Sequence, residues 1–308
     1  MTLARTQRGF LLIVAVIIML IAAVMATVMA TLNAGSGIAG GTHVLSTQSL
    51  YAAESGLEFE QRRLAQNVDW YRATTDPFDV ATNSVAQSTY TVSANVPATE
   101  LRTVMTAASG ATTANVFGGG NANGRWPNSG TLLIGDDLTD DAEFVTYTST
   151  TATTFAITAR NQSVNGITNT SAGAVVGTGF FHARGEYVFP VTTLTGASPA
   201  LPLASNCNAL TNVQIAANSK FLSIGTITVF HGTGAEQITY TSSSTTGGTT
   251  TLTGIKRCQN GTSFVAAAVN DPVAPMVSSI GSADFEAMIS ATGNNGTTQR
   301  QEYKIVQR

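Results

Sequence analysis

The feature that most constrains this chain is an uninterrupted apolar segment near its amino terminus. The segment from Phe10 to Leu32 reads FLLIVAVIIMLIAAVMATVMATL, and no charged side chain occurs between Arg8 and Glu54. A helix of about 23 residues rises roughly 35 Å, which is enough to cross the apolar core of a bilayer. Because Arg5 and Arg8 precede the segment and no acidic residue does, the positive-inside rule predicts a cytoplasmic start and an exported remainder.

Three interpretations of this segment compete. A cleaved secretory signal has a shorter apolar region with its cleavage site at the far end, whereas the best site here lies at the front. An uncleaved membrane anchor is the second interpretation. The third is a processed leader, residues 1–9, which is short and basic and ends in Gly9 directly before Phe10 and the apolar helix.

The sequence Gln7-Arg8-Gly9-Phe10 followed by an apolar helix resembles the class III signal of type IV prepilins. The resemblance implies that a prepilin peptidase cuts after Gly9 on the cytoplasmic side and that the new amino-terminal Phe10 is methylated. It also implies that the helix at 10–33 anchors the precursor in the inner membrane and later packs in the core of an extracellular filament. Glycine suits a peptidase cleft because it has no side chain and a permissive backbone.

One position departs from the pattern of that family. Most such pilins carry Glu as the fifth mature residue, where this chain has Val14. In the family that Glu pairs with the amino terminus of a neighbouring subunit, and members without it tend to be minor subunits at the tip of the pilus. Val14 therefore favours a minor pilin over the main repeating subunit.

A second, amphipathic helical segment is predicted at 42–75, where apolar residues recur at helical spacing until the region of Pro77 ends the helix. Residues 33–41 contain four glycines, each of which costs about 1 kcal/mol relative to Ala in a helix interior. We therefore expect the helix to be interrupted between the two segments.

A short motif in the second segment sharpens the resemblance. Ala52-Ala53-Glu54-Ser55-Gly56 is similar to a signature of the PilX family of minor pilins and of the MshP-type biogenesis proteins of mannose-sensitive haemagglutinin pili. Small residues at these positions let another helix approach closely. Glu54 and Glu58 either lie on a solvated face or pair with arginines of a neighbouring subunit.

The rest of the chain predicts an α+β protein in which an antiparallel β-sheet follows the long helix, the order found in pilins. Residues 88–96 alternate between apolar and polar in the manner of a half-buried strand. Two alternating runs near the carboxy terminus flank residues 292–297, which contain the Asn-Gly signal of a hairpin turn. The predicted sheet comprises 85–98, 180–192 and 283–308.

Two small β-modules, at 112–179 and 207–275, are predicted as insertions, and they resemble each other. The heptapeptides that begin at Glu143 and Glu236 match at five of seven positions, and each is followed by Arg-x-Gln, at Arg160 and at Arg257. A shared order of landmarks is the mark of an internal repeat. Units of this pattern resemble modules of phage tail fibres and other surface-exposed proteins.

The two cysteines, Cys207 and Cys258, bracket the second module. In an exported polar domain they are a plausible disulfide, and the alternative is a pair of small unpaired core residues. A bridge would close a loop of about 50 residues and stabilise the fold by about 4 kcal/mol in the chain-entropy model.

The sequence contains no recognisable catalytic or cofactor motif, so we expect neither an enzyme nor a bound cofactor. The three histidines, His43, His182 and His231, have no ligand-like spacing. An acidic cluster is a weak candidate for a Ca²⁺ site, because its spacing departs from that of an EF-hand loop and turns favour Asp in any case. Its members are Asp136, Asp137, Asp140 and Asp141.

Charge and composition limit the classes of partner that the chain can bind. Without residues 1–9 the chain has 13 basic and 18 acidic residues, a net charge of −5, and it has no basic patch with interleaved aromatics of the kind that binds nucleic acid. The resemblance implies other pilins, the prepilin peptidase and the inner-membrane assembly platform as partners.

The expected function is that of a non-catalytic minor pilin that acts in assembly or initiation at the tip of an extracellular pilus, with a head that contacts a surface glycan or host receptor. Alternatives are a major pilin or a type II secretion pseudopilin. An alternative of another class is an uncleaved, membrane-anchored carbohydrate-binding surface protein.

Overall fold

The computed structural model describes residues 4–66, 78–85, 88–95, 97–107, 112–117, 126–135, 142–166, 179–196, 207, 212–218, 220–232, 234–275, 286–296 and 298–307. Its elements are α1 (Ala4–Gln66), β1 (Phe78–Val85), β2 (Ser88–Asn95), β3 (Thr99–Leu101), β4 (Thr112–Phe117), β5 (Gly130–Ile134), β6 (Glu143–Thr150), β7 (Thr154–Ala159), β8 (Tyr187–Thr193), β9 (Asn212–Ala216), β10 (Gly225–His231), β11 (Gly234–Tyr240), β12 (Ser242–Thr246), β13 (Thr249–Thr253), β14 (Pro272–Pro275), β15 (Glu286–Asn295) and β16 (Thr298–Gln307).

The long helix is continuous, so the expected interruption at 33–41 is wrong. α1 runs over 63 residues and is helical through all four glycines of that segment. Glycine lowers helix propensity, but unlike proline it keeps its N–H donor and causes no clash. The hydroxyls of Ser36 and Thr42 also donate to carbonyls one turn back, at 3.0 and 2.9 Å. Residues 67–75 of the predicted helix lie outside the described residues.

The second half of α1 packs on a four-stranded antiparallel sheet of order β1-β2-β15-β16. The strand predicted at 88–96 is β2, and its Tyr90 and Val92 are buried as their alternation indicates. The terminal hairpin is present but longer than expected, because residues 292–295 pair with 298–301 instead of forming a wide turn. β1 was not predicted.

The strand predicted at 180–192 differs most from the expected sheet, both in its start and in its partners. β8 begins only at Tyr187 and pairs with β3, β5 and β14, not with the terminal hairpin. Residues 180–186 form a turn in which Gly185 has a φ of 96°, a conformation that favours glycine. Because β8 is buried along both faces, it belongs between two packed layers and not in a half-exposed sheet.

The first module forms a closed six-stranded barrel with the order β8-β3-β4-β7-β6-β5, closed by pairing of β5 with β8. It is wider than the predicted segment 112–179, since β3 and β8 flank that segment in sequence. Its interior is filled by one apolar cluster: Leu101, Met105, Ala114, Val116, Trp126, Leu132, Ile134, Val145, Tyr147, Phe155, Ile157 and Val188.

The second module repeats this order of pairing. β9 pairs with β13, β13 with β12, β10 with β11 and β10 with β14. Leu194, at the end of β8, bridges to Ile215 in β9 and thereby takes the place that Leu101 of β3 has in the first barrel. We call the two rings barrel 1 and barrel 2; the strand β8 belongs to both.

A further apolar core joins the barrels to the helix and its sheet. Phe144 of barrel 1 and Phe230 of barrel 2 meet edge to face with ring centroids 5.6 Å apart. Ile289 of the sheet and Leu57 of α1 pack in the same cluster. This cluster therefore connects the helix and its sheet to both barrels, beside the separate apolar interiors of the barrels.

Candidate functional site

The amino-terminal half of α1 presents its apolar side chains to the outside. Apart from Val14, the large ones from Leu12 to Leu32 are 50% to 72% exposed, and α1 contains a segment that can cross a membrane by length and composition. An apolar surface of this extent marks contact with lipid or with another protein. Gly9 and Phe10 lie in the helical backbone, and Val14 is half-exposed.

The Ala52–Gly56 motif contacts the protein's own sheet, which corrects the expectation that it admits another helix. Ala52 and Ala53 are buried against Tyr90, Val92 and Ala291.

Two glycines make this helix–sheet contact close. A Cβ atom on Gly56 would lie 2.9 Å from side-chain carbons of Tyr90 and of Val92. On the sheet side, a Cβ on Gly293 would overlap the carbonyl oxygen of Ser49 and lie 2.6 Å from the nitrogen of Ala53. Small side chains on both surfaces therefore set the separation of α1 from β15.

Two acidic residues, Glu54 in the motif and Glu58 just after it, lie on the exposed face of α1. Glu54 and Glu58 are exposed, and Glu58 accepts a hydrogen bond from Arg62 at 2.6 Å one turn later. An exposed pair of this kind contributes at most about 1 kcal/mol. Within the chain these carboxylates lie on an exposed face, and their pairing with arginines of a neighbouring subunit stays a prediction.

Each barrel contains one fully buried ion pair between a glutamate and the arginine of its Arg-x-Gln segment. In barrel 1 the Nε of Arg160 donates to Glu143 at 2.6 Å, and Glu143 also accepts the backbone N–H of Asn161 at 2.8 Å. The guanidinium of Arg160 reaches the carbonyls of Thr106 and Phe180 at 3.2 and 2.6 Å. The arginine thereby connects the chain segments at Thr106 and Phe180 to the carboxylate of Glu143.

Barrel 2 contains the same arrangement. Arg257 donates to Glu236 through Nε at 2.8 Å and to the carbonyl of Val265 at 2.7 Å. The backbone N–H of Cys258 donates to Glu236 at 3.1 Å, as that of Asn161 does in barrel 1. The repeat in the sequence aligns these Glu and Arg residues, but it predicts no contact between them. The recurrence of rare charged residues in both copies is the signal by which their pairing could have been found.

A tyrosine also repeats at the same place in both barrels. Tyr147 donates its hydroxyl to the carbonyl of Pro127 at 2.9 Å, and Tyr240 donates to that of Leu222 at 2.8 Å. Burial raises the pKa of Tyr147 to about 12, so this hydroxyl stays a donor across the physiological range.

The histidines differ in their surroundings. His182 is buried between Glu143 and Glu186, with Nε2 and Nδ1 at 2.9 and 2.6 Å from their carboxylates. His231 is partly exposed and lies 2.7 Å from Asp271, and His43 is exposed on α1. Within the described ranges, no group of three or more His, Cys, Asp or Glu side chains could hold a metal ion.

Two further predictions concern Cys207, Cys258 and the acidic cluster. The structure pairs Cys207 with Cys258, with Cα atoms 5.6 Å apart. The weak Ca²⁺ candidates Asp136, Asp137, Asp140 and Asp141 lie outside the described residues.

Comparison of the chain with profiles of known families, with curated proteins and with solved structures finds no match.

Proposed function

We propose that this chain is a non-catalytic minor pilin of a type IV pilus of the mannose-sensitive haemagglutinin kind, cut after Gly9 by a prepilin peptidase. The observation that carries the proposal is the division of α1 into two halves. Its first half is apolar and exposed, while its second half packs on an antiparallel sheet that includes the terminal hairpin. A helix of this form can be held by lipid in the precursor and by other helices in a filament.

The position proposed for the subunit is the tip of the pilus. Val14 stands where a shaft subunit carries the docking carboxylate. The barrels add most of the described chain beyond the helix and its sheet, and bulk of this size is easier to place at an end than in every repeat.

The first experiment tests processing of the chain expressed with its prepilin peptidase. Mass spectrometry of the mature protein is expected to find an amino-terminal N-methylated Phe10. Gly9→Val should leave the leader attached, whereas the matched control Gly35→Ala, whose Cβ meets nothing within 4 Å, should be processed normally. An intact leader on the wild-type protein in pilus-forming cells contradicts the proposal.

The second experiment tests position. Immunogold labelling against the barrels is expected to mark pilus ends, and deletion of the chain should reduce the number of pili. Labelling along the whole shaft would instead favour a major pilin.

A second candidate function, contact with a neutral polysaccharide, is favoured by one surface of barrel 2. The strands β12, β13 and β9 bury Val213, Ile215 and Leu252 on one side. Their other side presents hydroxyl and amide side chains without a charge: Asn212, Gln214, Ser242, Ser244, Thr246, Thr249, Thr251 and Thr253. Such groups can exchange hydrogen bonds with sugar hydroxyls.

Retention of the purified protein on insoluble neutral polysaccharides tests this candidate. We expect the double variant Ser244→Glu/Thr251→Glu to bind less than the wild type, and the matched variant Glu54→Gln on α1 to bind equally. Equal retention of all three proteins would exclude this surface as the binding face.

A further inference from the structure

The two barrels contain the same buried ion pair but differ in the residue beside it. In barrel 1 the N–H of Ala183 donates to the Glu186 carboxylate, and in barrel 2 the N–H of Ala268 donates to that of Asp271. The N–H groups of Leu101 and Leu194 likewise donate to the carbonyls of Glu186 and Asp271. Counting back from these matched turns, His182 of barrel 1 corresponds to Ala267 of barrel 2.

The two barrels differ in where the histidine lies relative to the carboxylates. Barrel 1 places two carboxylates, Glu143 and Glu186, on the two ring nitrogens of His182, and one guanidinium, that of Arg160, pairs with Glu143. The cluster is neutral only when the imidazole carries a proton. Barrel 2 pairs Glu236 with Arg257 and has Ala267 at the position of His182. Asp271, the counterpart of Glu186, pairs instead with the partly exposed His231 of β10.

The histidine also lies where two chain segments are clipped together. His182 and Met105 exchange backbone hydrogen bonds of 2.8 and 2.9 Å, and Arg160 holds the carbonyls of Thr106 and Phe180 on the two sides of that exchange. We name residues 102–107 and 180–186 the clip of barrel 1. Its outer surface carries two apolar side chains, Val104 and Phe181, that are 54% and 53% exposed.

We propose that His182 is a protonation latch, which as an imidazolium holds the clip on barrel 1 and on losing its proton lets the clip open while barrel 2 stays closed. The charged groups that face it are Glu143 from β6, Glu186 from its own turn and, through Glu143, Arg160 from the segment after β7. Loss of the proton leaves the partly exposed Glu186 carboxylate without a compensating charge, because Arg160 pairs with Glu143. The neutral imidazole also keeps only one N–H for the two carboxylates at its ring nitrogens, which destabilises the closed clip.

The direction of the pH dependence follows from linkage. Burial lowers the pKa of His182, but the hydrogen bonds and charges of Glu143 and Glu186 outweigh it and raise the pKa above the ordinary 6.5. A raised folded pKa means that the stabilisation is fully present below pH 6.5 and is lost as the pH rises through the folded pKa. The clip is therefore closed in mildly acidic solution and opens as the pH rises through the folded pKa of His182.

Hydrogen exchange of the full chain in detergent micelles, read by mass spectrometry from pH 6 to 9 and corrected for the intrinsic exchange rate, tests the latch. We expect peptides that cover the clip to exchange faster by up to about tenfold per pH unit above the folded pKa, the limit for one released proton. The matching turn of barrel 2, residues 265–271, is expected to keep its protection.

Two matched variants complete the test. His182→Gln should remove the pH dependence of the clip, and His231→Gln, which changes the exposed histidine beside Asp271, should retain it. If His182→Gln does not fold, Glu186→Gln is informative, because removing one carboxylate should move opening of the clip to lower pH. Equal protection of the wild-type clip at pH 6 and pH 9, or simultaneous loss of protection in both barrels, would overturn the proposal.

Discussion

At the scale of single residues, the close contact between α1 and its sheet depends on two glycines, because any larger residue would bring a Cβ atom into the contact. Gly293 faces the backbone of Ser49 and Ala53, and Gly56 faces Tyr90 and Val92. The conflict at Gly56 involves side chains that can shift, whereas the conflict at Gly293 involves backbone atoms that cannot. Gly293 is therefore the more sensitive of the two positions.

Replacing Gly293 by alanine should destabilise the protein, because the added methyl group overlaps the carbonyl oxygen of Ser49. We expect a loss of about 1–3 kcal/mol, the usual range for overpacking. Chemical denaturation in detergent measures it. Gly37→Ala is the matched control, since its Cβ meets nothing within 4 Å, and it should be neutral or slightly stabilising. Equal stability of the two variants would contradict the close contact.

The buried ion pairs should respond to loss of one partner far more than the exposed ones. Arg257→Met leaves Glu236 buried without its guanidinium, and we expect a loss of about 3–5 kcal/mol. The control Arg62→Met removes the exposed partner of Glu58 and should change stability by less than about 1 kcal/mol. Unfolding free energies of the two variants decide, and a small effect at Arg257 would show that Glu236 finds other compensation.

The sequence could predict residues whose role is local but not those whose partners are distant in the chain. The alternation in β2 was sufficient to predict that Tyr90 and Val92 are buried. The role of His182 depends on Glu143, 39 residues earlier in the sequence, and no spacing rule relates the two. The aligned Glu and Arg of the two modules marked a repeat, but only the fold shows that each pair is buried.

At the scale of elements, the continuity of α1 is the clearest difference from expectation. Glycine content alone overstated the tendency to break the helix, because a propensity penalty can be outweighed by hydrogen bonds that continue on both sides. For the strand at 187–193, the element was predicted but its place in the fold was not. Its apolar run predicted a strand correctly, but periodicity does not say which sheet a strand joins.

A distance measurement tests the continuous helix. Nitroxide labels at Val28→Cys and Val44→Cys, both exposed positions, span 16 residues and should lie about 24 Å apart along a straight helix. Double electron–electron resonance is expected to give one narrow distribution near this value, apart from the reach of the labels. A broad distribution would indicate a joint at the glycines, and labels at Val16→Cys and Leu32→Cys, within the apolar half, provide the same spacing as a control.

At the scale of the whole molecule, the disulfide is the one covalent link between distant described segments. It closes a loop with a sequence separation of 51. The double variant Cys207→Ala/Cys258→Ala should lose about 2–4 kcal/mol of stability, chiefly because the unfolded chain gains freedom. Denaturation of the double variant beside the wild type measures this, and thiol labelling of the unreduced, denatured wild-type protein should tag neither cysteine. Labelling of both would show that the pair is reduced.

The strand β8, which belongs to both barrels, has a consequence for growth of the chain by duplication. Two domains that share no element are joined by a linker, and a linker lets the domains move relative to each other. Here each added copy would use the last strand of the preceding copy as one of its own strands, so the new barrel would be rigidly attached to the preceding one. Tandem copies that share strands in this way would lengthen the head without adding flexible linkers. A force applied to the outermost barrel would act on the hydrogen bonds that the shared strand β8 makes with β5 and β14.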